Sequence, residues 1–284
     1  MSAALLDSTV AERFLKKNCN DLSQMTSITD AAAELLSKDK RNLTLVGLTE
    51  LSDAAAKSLS KHKGHCLELS GLTELSDAAA ESLSKHKGSA LFLAGLTELS
   101  DAAAESLSKI KRRLVLHGLT KLSGAAAESL SKRQNDLRLK CLTELSDAAA
   151  KSLSKHKEGY LELSGLTELS DASAKSLSKH KGLSLNLDGL TELSDAAAES
   201  LSKHRRELRL NGLTELSDAA AESLSKHRRE LRLNGLTELS DAAAESLSKH
   251  RRDLRLYGLT ELSDAAAESL SRLEWRLLTM NSPN

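Results

Sequence analysis

The motif Leu-Thr-Glu-Leu-Ser-Asp-Ala-Ala-Ala recurs with few changes along nearly the whole chain and limits what it can fold into. Each copy begins 23 or 24 residues after the previous one, at Leu48, Leu72, Leu96, Leu119, Leu142, Leu166, Leu190, Leu213, Leu236 and Leu259. A weaker copy begins at Met25. Repetition at one such period predicts a solenoid, in which each unit packs only against its neighbours.

Each repeat reads as a short strand followed by a short helix. Residues 66–70 alternate apolar and polar side chains, which is the signal of a strand with one buried face. Ser76 and Asp77 then supply an N-cap and a carboxylate for the first turn of a helix. One face of that helix carries the apolar residues Ala79, Ala80 and Leu83. Helices of this length are marginal alone, so packing against neighbouring repeats must hold them.

The spacing of these residues resembles the leucine-rich-repeat family over about residues 22–280. The pattern consists of Leu67, Leu69, Leu72, Leu75, Asp77, Ala80 and Leu83, and Ile28-Thr29-Asp30 matches the helix start of one subtype literally. The resemblance implies an α/β fold, a right-handed solenoid with a parallel sheet on the concave face and short helices on the convex face. Leu72 and its equivalents replace the Asn or Cys ladder of the family. The turn backbone is therefore expected to find other hydrogen-bond partners.

We predict three regions. Residues 1–20 form an N-terminal capping helix, with apolar side chains at helical spacing at Leu5, Leu6, Val10, Phe14 and Leu15. Residues 21–271 form an array of about eleven repeats, and residues 272–284 form a C-terminal cap and tail in which Trp275 covers the last open core.

Composition narrows the class of partner. Forty basic and forty acidic residues give a formal net charge of zero, which makes nucleic acid or an anionic membrane an improbable partner on overall charge. Cys19, Cys66 and Cys141 show no paired spacing, as expected of a protein in a reducing compartment. No stretch approaches the ~20 apolar residues of a membrane span. We therefore expect a cytoplasmic protein.

The repeats differ mainly at the strand positions that point away from the core. This pattern favours a non-catalytic scaffold that binds another protein or a peptide on the concave strand face. The predicted contact residues are Phe92, Val115, His117, Arg138, Tyr160, Glu162, Asn186, Arg209, Arg232, Arg255 and Tyr257. One alternative is a structural or engineered consensus-like array without a dedicated partner, since residues 208–229 and 231–252 are identical in sequence. Another is an anion or nucleic-acid binder that uses the arginine columns.

Two patches stand out among these positions. The apolar patch consists of Val46, Ala90, Phe92, Ala94 and Val115. In the polar patch Arg209, Arg232 and Arg255 would stack at about 4.8 Å in a parallel sheet and repel one another without compensating acids. Glu207, Glu230 and Asp253 can compensate them, which gives a self-neutralised ladder; otherwise the arginines hold an anion or an acidic peptide.

Other candidate chemistry is weak. The histidine column consists of His62, His86, His156, His180, His204, His227 and His250, at predicted helix ends where a cation suits the helix dipole. No cysteine or carboxylate joins it with tetrahedral spacing, so no metal is expected. Serines near histidines, such as Ser84 and His86, recur along the array, whereas a nucleophile needs one unique pocket. We predict no enzyme activity, no cofactor and no small-molecule substrate.

The middle of the array is irregular. Ile110 replaces the column histidine, Lys121 the glutamate, Gly124 the helix-start aspartate and Cys141 the turn glycine. These changes predict either a local weak point or a second contact site.

Overall fold

The computed structural model describes residues 4–16, residues 21–273 and the backbone of residues 278–279. The chain divides into two compact units, Met1–Arg138 and Leu139–Asn284. Trp275, which we predict to cover the last repeat, lies outside the described residues, so that role stays a prediction.

The first unit alternates strands and helices. Its helices are α1 (Ser8–Leu15), α2 (Asp30–Leu36), α3 (Asp53–Leu59), α4 (Asp77–Ser84), α5 (Asp101–Ser108) and α6 (Gly124–Ser131). Its strands are β1 (Leu5–Leu6), β2 (Ser27–Ile28), β3 (Leu43–Thr44), β4 (Cys66–Glu68), β5 (Ala90–Phe92), β6 (Arg113–Val115) and β7 (Leu137–Arg138).

The second unit repeats the same alternation. Its helices are α7 (Asp147–Leu153), α8 (Asp171–Leu177), α9 (Asp195–Ser202), α10 (Asp218–Ser225), α11 (Asp241–Leu247) and α12 (Asp264–Ser271). Its strands are β8 (Tyr160–Glu162), β9 (Ser184–Asn186), β10 (Glu207–Arg209), β11 (Leu231–Arg232), β12 (Leu254–Arg255) and β13 (Leu278–Thr279). The described helices, at seven or eight residues, are all too short to span a bilayer.

Strands of successive repeats pair in parallel and in register. Leu67 pairs with Leu91 in the first unit, and Leu208 pairs with Leu231 in the second. Parallel neighbours need a crossover connection, which each short helix provides. The predicted strand–helix repeat is confirmed.

The core is a thin layer of leucine and alanine between the strands and the helices. Leu67, Leu69, Ala79, Ala80 and Leu83 are all fully buried, as are most of their equivalents in other repeats. The predicted apolar helix face is therefore correct. Leu75, which belongs to the same leucine pattern, is only half-buried, because it precedes the exposed helix cap at the margin between the two layers.

Serine and aspartate at the helix starts bind neighbouring repeats to one another. Ser76 Oγ accepts from the Ala79 N–H at 3.0 Å, which caps helix α4, and donates to Asp53 of the previous repeat. In the second unit Ser194 Oγ donates to Asp171 Oδ1 at 2.5 Å. Where the previous repeat carries the aspartate, the helix-start serine thus both caps its helix and links two repeats. Helix α6 is still capped by Ser123, but Gly124 replaces the aspartate, so its first turn carries no carboxylate.

The turn backbone finds partners in other main-chain groups. The Thr49 N–H donates to the Thr26 carbonyl at 3.1 Å, and the Thr120 N–H donates to the Thr97 carbonyl at 2.9 Å. These main-chain hydrogen bonds satisfy turn groups that Asn or Cys side chains bind in the family, where this chain has leucine. The adjoining glycine is required by a close approach, because a Cβ at Gly71 would lie 2.1 Å from the Val46 oxygen.

The N-terminal segment differs from its prediction. Leu5 and Leu6 form strand β1, which pairs with Ser27 and Ile28, and helix α1 begins only at Ser8. The Asp7 side chain accepts from the Val10 N–H and so caps the helix after the strand. The buried helix positions are Ala11 and Phe14, whereas Val10 is half-buried. Whether residues 1–20 act as a cap stays a prediction.

Candidate functional site

The sheet face, which we define as the side of each sheet turned away from the helices, carries the predicted contact residues. In the first unit these are Phe92, Val115, His117 and Arg138. In the second unit they are Tyr160, Glu162, Asn186, Arg209, Arg232, Arg255 and Tyr257. Nine of them lie within a strand, and His117 and Tyr257 lie two residues beyond the end of one.

Phe92 is the largest apolar side chain on the sheet face of the first unit. It lies in register with Glu68 on one side and Val115 on the other. The Arg113 guanidinium lies 5.4 Å from the Phe92 ring centroid, a cation–π contact that leaves the ring half-buried.

Val115 does not serve as an exposed contact. It is 5% exposed, and Ala90 in the same predicted patch is 6% exposed. Strands lie only about 4.8 Å apart, so larger side chains on neighbouring strands cover the small ones. The accessible part of the apolar patch is therefore Phe92 together with the half-buried Val46 and Ala94.

In the second unit Glu162, Asn186, Arg209, Arg232 and Arg255 form one row across adjacent strands. Asn186 is 7% exposed. Its Oδ1 accepts from the Asp188 N–H at 2.8 Å, so the side chain folds back on its own turn. The prediction that Asn186 is available for contact is wrong for this reason.

The three arginines of this row are neutralised by carboxylates. Arg209 Nη2 lies 2.7 Å from Asp188 Oδ2. Arg232 bonds Glu207 at 2.8 Å and Glu230 at 2.9 Å. Arg255 Nε lies 2.8 Å from the same Glu230. These contacts favour the self-neutralised ladder over an anion site, with Asp188 in place of the expected Asp253.

A second ladder runs beside the arginines. Asp188 Oδ1 accepts from the Asn211 N–H at 3.0 Å, and Asn211 Oδ1 accepts from the Asn234 N–H at 3.1 Å. Asn234 Oδ1 in turn accepts from the Tyr257 N–H at 3.3 Å. Each side chain therefore satisfies a backbone donor one repeat later. The recurrence of asparagine after the last strand leucine was the signal, which we interpreted only as surface variation.

Tyr160 is the most accessible aromatic residue on the described sheet face. It is 44% exposed and opens strand β8. Next to it, Glu162 lies 3.7 Å from Lys140 Nζ. Tyr160 therefore offers apolar area beside a charged pair that is already partly compensated.

The histidine column is not a row of surface cations. His62, His180, His204, His227 and His250 are each at most 2% exposed. Successive rings from His180 to His250 stack with centroids 5.9 to 6.3 Å apart. Burial lowers the pKa of His180 to about 3 and the pKa of His204 and His227 to about 4. The expectation of cations that favour helix ends is wrong, because desolvation keeps the rings neutral.

Arg133 occupies the column position between Ile110 and His156 and was missed. It is 4% exposed, and its guanidinium donates to the carbonyls of Ile110 at 2.6 Å and Arg112 at 2.9 Å. Burial lowers its pKa to about 10. Arginine in place of histidine after Ser-Leu-Ser-Lys was the available signal. Among the described residues, no three histidines, cysteines or carboxylates converge as metal ligands do.

Comparison with solved structures identifies the fold. The Toll–Spatzle complex of Drosophila, in its glycosylated form, matches with a TM-score of 0.52 and 14% identity, over 99% of this chain and 42% of that one. The chain has the leucine-rich-repeat fold.

Other leucine-rich-repeat structures match at similar identity. The TLR13–ssRNA13 complex matches with a TM-score of 0.51 and 16% identity, over 90% of this chain and 38% of that one. The leucine-rich-repeat protein LIC12759 of Leptospira interrogans matches with a TM-score of 0.49 and 20% identity, over 91% and 64% respectively. The chain thus spans less than two thirds of the length of each of these proteins. No protein-family model and no curated protein matches it.

Proposed function

We propose that this leucine-rich-repeat chain is a non-catalytic scaffold that binds another protein or a peptide on its sheet face. The observation that carries the proposal is the contrast between the two sides of each repeat. The buried leucines, the alanines and the Ser-Asp caps are nearly invariant among the repeats, whereas the sheet-face residues differ among most of the repeats. A fixed scaffold with one varied surface is what recognition requires.

The chemistry of the sheet face suits a polypeptide. Phe92 and Tyr160 offer aromatic area, and aromatic residues contribute strongly to interfaces when they become desolvated. The arginine row is already paired with carboxylates, so a partner would meet a surface of mixed charge rather than a cationic one. Such a surface favours a polar peptide with an apolar anchor.

Two further observations support the proposal. The same fold occurs in the Toll–Spatzle complex, in which one protein binds another. Cys66 and Cys141 are free thiols, which suits action in a reducing compartment such as the cytoplasm.

The test is selection of peptide ligands from a displayed library, followed by affinity measurements on variants. Phe92→Ala and Tyr160→Ala should each weaken the ligands bound in their own unit by about tenfold, because each removes an aromatic anchor worth about 1.4 kcal/mol. The matched control carries Glu81→Ala, Glu105→Ala and Glu128→Ala on the exposed helix side and should bind as the parent does. Ligands that depend on these glutamates would contradict the proposal. A chain that yields no saturable ligand would support the structural array instead.

A further inference from the structure

The loops that follow helices α9, α10 and α11 form a basic edge of the second unit. This loop edge consists of residues 203–206, 226–229 and 249–252, and each segment reads Lys-His-Arg-Arg. The six arginines are Arg205, Arg206, Arg228, Arg229, Arg251 and Arg252, and all are exposed. None belongs to the sheet face.

Most of the acids closest in sequence are bound elsewhere, whereas Asp253, which follows Arg252, is exposed. Lys203 pairs with Glu199 at 2.9 Å, and Lys226 pairs with Glu222 at the same distance. On the other side of the arginines, Glu207 and Glu230 bind the sheet-face residue Arg232. Within the described part of the chain, no carboxylate forms an ion pair with the six loop-edge arginines.

The arginine pairs are evenly spaced. The histidine that precedes each pair stacks on the next at a centroid distance of 6.3 Å. Because each arginine pair directly follows one of these histidines, the pairs recur once per repeat along the edge, in a regular row such as a nucleic-acid backbone could follow. A groove of about 1220 Å³ extends from this edge along the outer side of helices α9 and α10. Its charged lining consists of Lys203, Arg205, Lys226, Arg228, Arg229 and Arg252, together with the acids Asp195, Glu199 and Glu222.

Acidic and basic residues are equal in number over the whole chain, but they lie at different margins of these repeats. The helix starts carry Asp195, Asp218 and Asp241, at the opposite ends of the same helices. Each repeat of this region is thus acidic at one margin and basic at the other. A net charge of zero excludes a polyanion partner only if charges are evenly mixed, and here they are not.

We propose that the loop edge binds nucleic acid through its sugar-phosphate backbone, independently of the protein-binding function of the sheet face. Guanidinium groups bind phosphate oxygens in pairs, and a regular row of them follows a strand. The three Lys-His-Arg-Arg segments carry no Phe, Tyr or Trp on which bases could stack, so the bases are not read. They carry no aliphatic side chain that would enter a lipid surface either.

The experiment measures fluorescence anisotropy of two labelled 20-nucleotide RNAs of unrelated sequence at several salt concentrations. The parent should bind both RNAs equally, and its affinity should fall steeply with salt, by roughly 0.7 log units per log unit of salt for each phosphate contacted. Replacing the six loop-edge arginines with glutamine should weaken binding by at least about tenfold at ~100 mM salt and flatten this slope. Replacing them with lysine should restore most of the affinity.

The matched control removes six exposed lysines of the first unit, by glutamine at Lys57, Lys61, Lys63, Lys87, Lys111 and Lys121. It lowers the net charge equally and should stay within about threefold of the parent. An equal loss in the control would overturn the proposal, because any positive charge would then suffice. Tighter binding to anionic lipid vesicles or to poly-glutamate than to RNA, or no RNA binding at low salt, would overturn it as well. None of these results bears on the sheet face.

Discussion

Lowering the pH from 7.5 to 5.0 is expected to destabilise the second unit strongly. The folded-state pKa is about 3 for His180 and about 4 for His204 and His227, below the ordinary value of 6.5. Below pH 6.5 the unfolded chain therefore binds protons that the folded chain does not, so unfolding is favoured as the pH falls. Each ring should cost about 2 kcal/mol at pH 5, or about 6 kcal/mol for the three.

Denaturant unfolding at the two pH values measures this loss. His204→Gln should remove about a third of it, and the triple variant with glutamine at His180, His204 and His227 should remove most of it. Carboxylates whose pKa is lowered, such as Glu199 and Glu222 beside their lysines, lose their stabilising contribution only at lower pH, so this window isolates the histidines. A parent whose free energy of unfolding is equal at both pH values would show that the rings are not held neutral.

Leu83→Asp is expected to unfold much of the first unit. Leu83 is fully buried in the layer shared by successive repeats, where a carboxylate would have no partner. The cost of an unpaired buried charge should exceed about 4 kcal/mol, a large share of the stability of a domain. Because each repeat is held by its neighbours, the loss should extend beyond helix α4.

Thermal unfolding followed by circular dichroism provides the comparison. Glu81→Ala lies two residues away on the exposed side of the same helix, where Glu81 forms an exposed ion pair with Lys85. Its melting curve should match that of the parent, because exposed ion pairs contribute little. Similar losses in the two variants would mean that the assigned buried face of the helix is incorrect.

The features that the repeats share were the ones best predicted from the sequence. Ala79, Ala80 and Leu83 recur in one pattern, so the buried helix face could be identified from spacing alone. Ser76 was predicted as a cap for the same reason, although its second bond, to Asp53, requires knowing how repeats stack. Local patterns determine local structure, and stacking determines which groups of different repeats meet.

The wrong predictions concern side chains whose exposure or pairing depends on contacts with neighbouring strands and repeats. The alternating pattern placed Val115 and Asn186 on the sheet face as available contacts. Side chains on neighbouring strands cover Val115, and Asn186 is bound by the backbone of its own turn. His204 follows a helix and resembles a surface cation in sequence, yet adjacent rings enclose it. The pairing of Arg209 with Asp188 depends equally on the distance between repeats.

We propose that the sheet face holds the partner, and photo-cross-linking of a selected peptide ligand can locate the contact. A photoreactive amino acid would replace Phe92 or Tyr160 on the sheet face, and Glu81 or Glu222 on the exposed helix side, with mass spectrometry to find the cross-links. We expect covalent adducts from the sheet-face positions of the unit that binds the ligand and none from the helix positions. Adducts confined to position 81 or 222 would place the site on the helices and contradict the proposal.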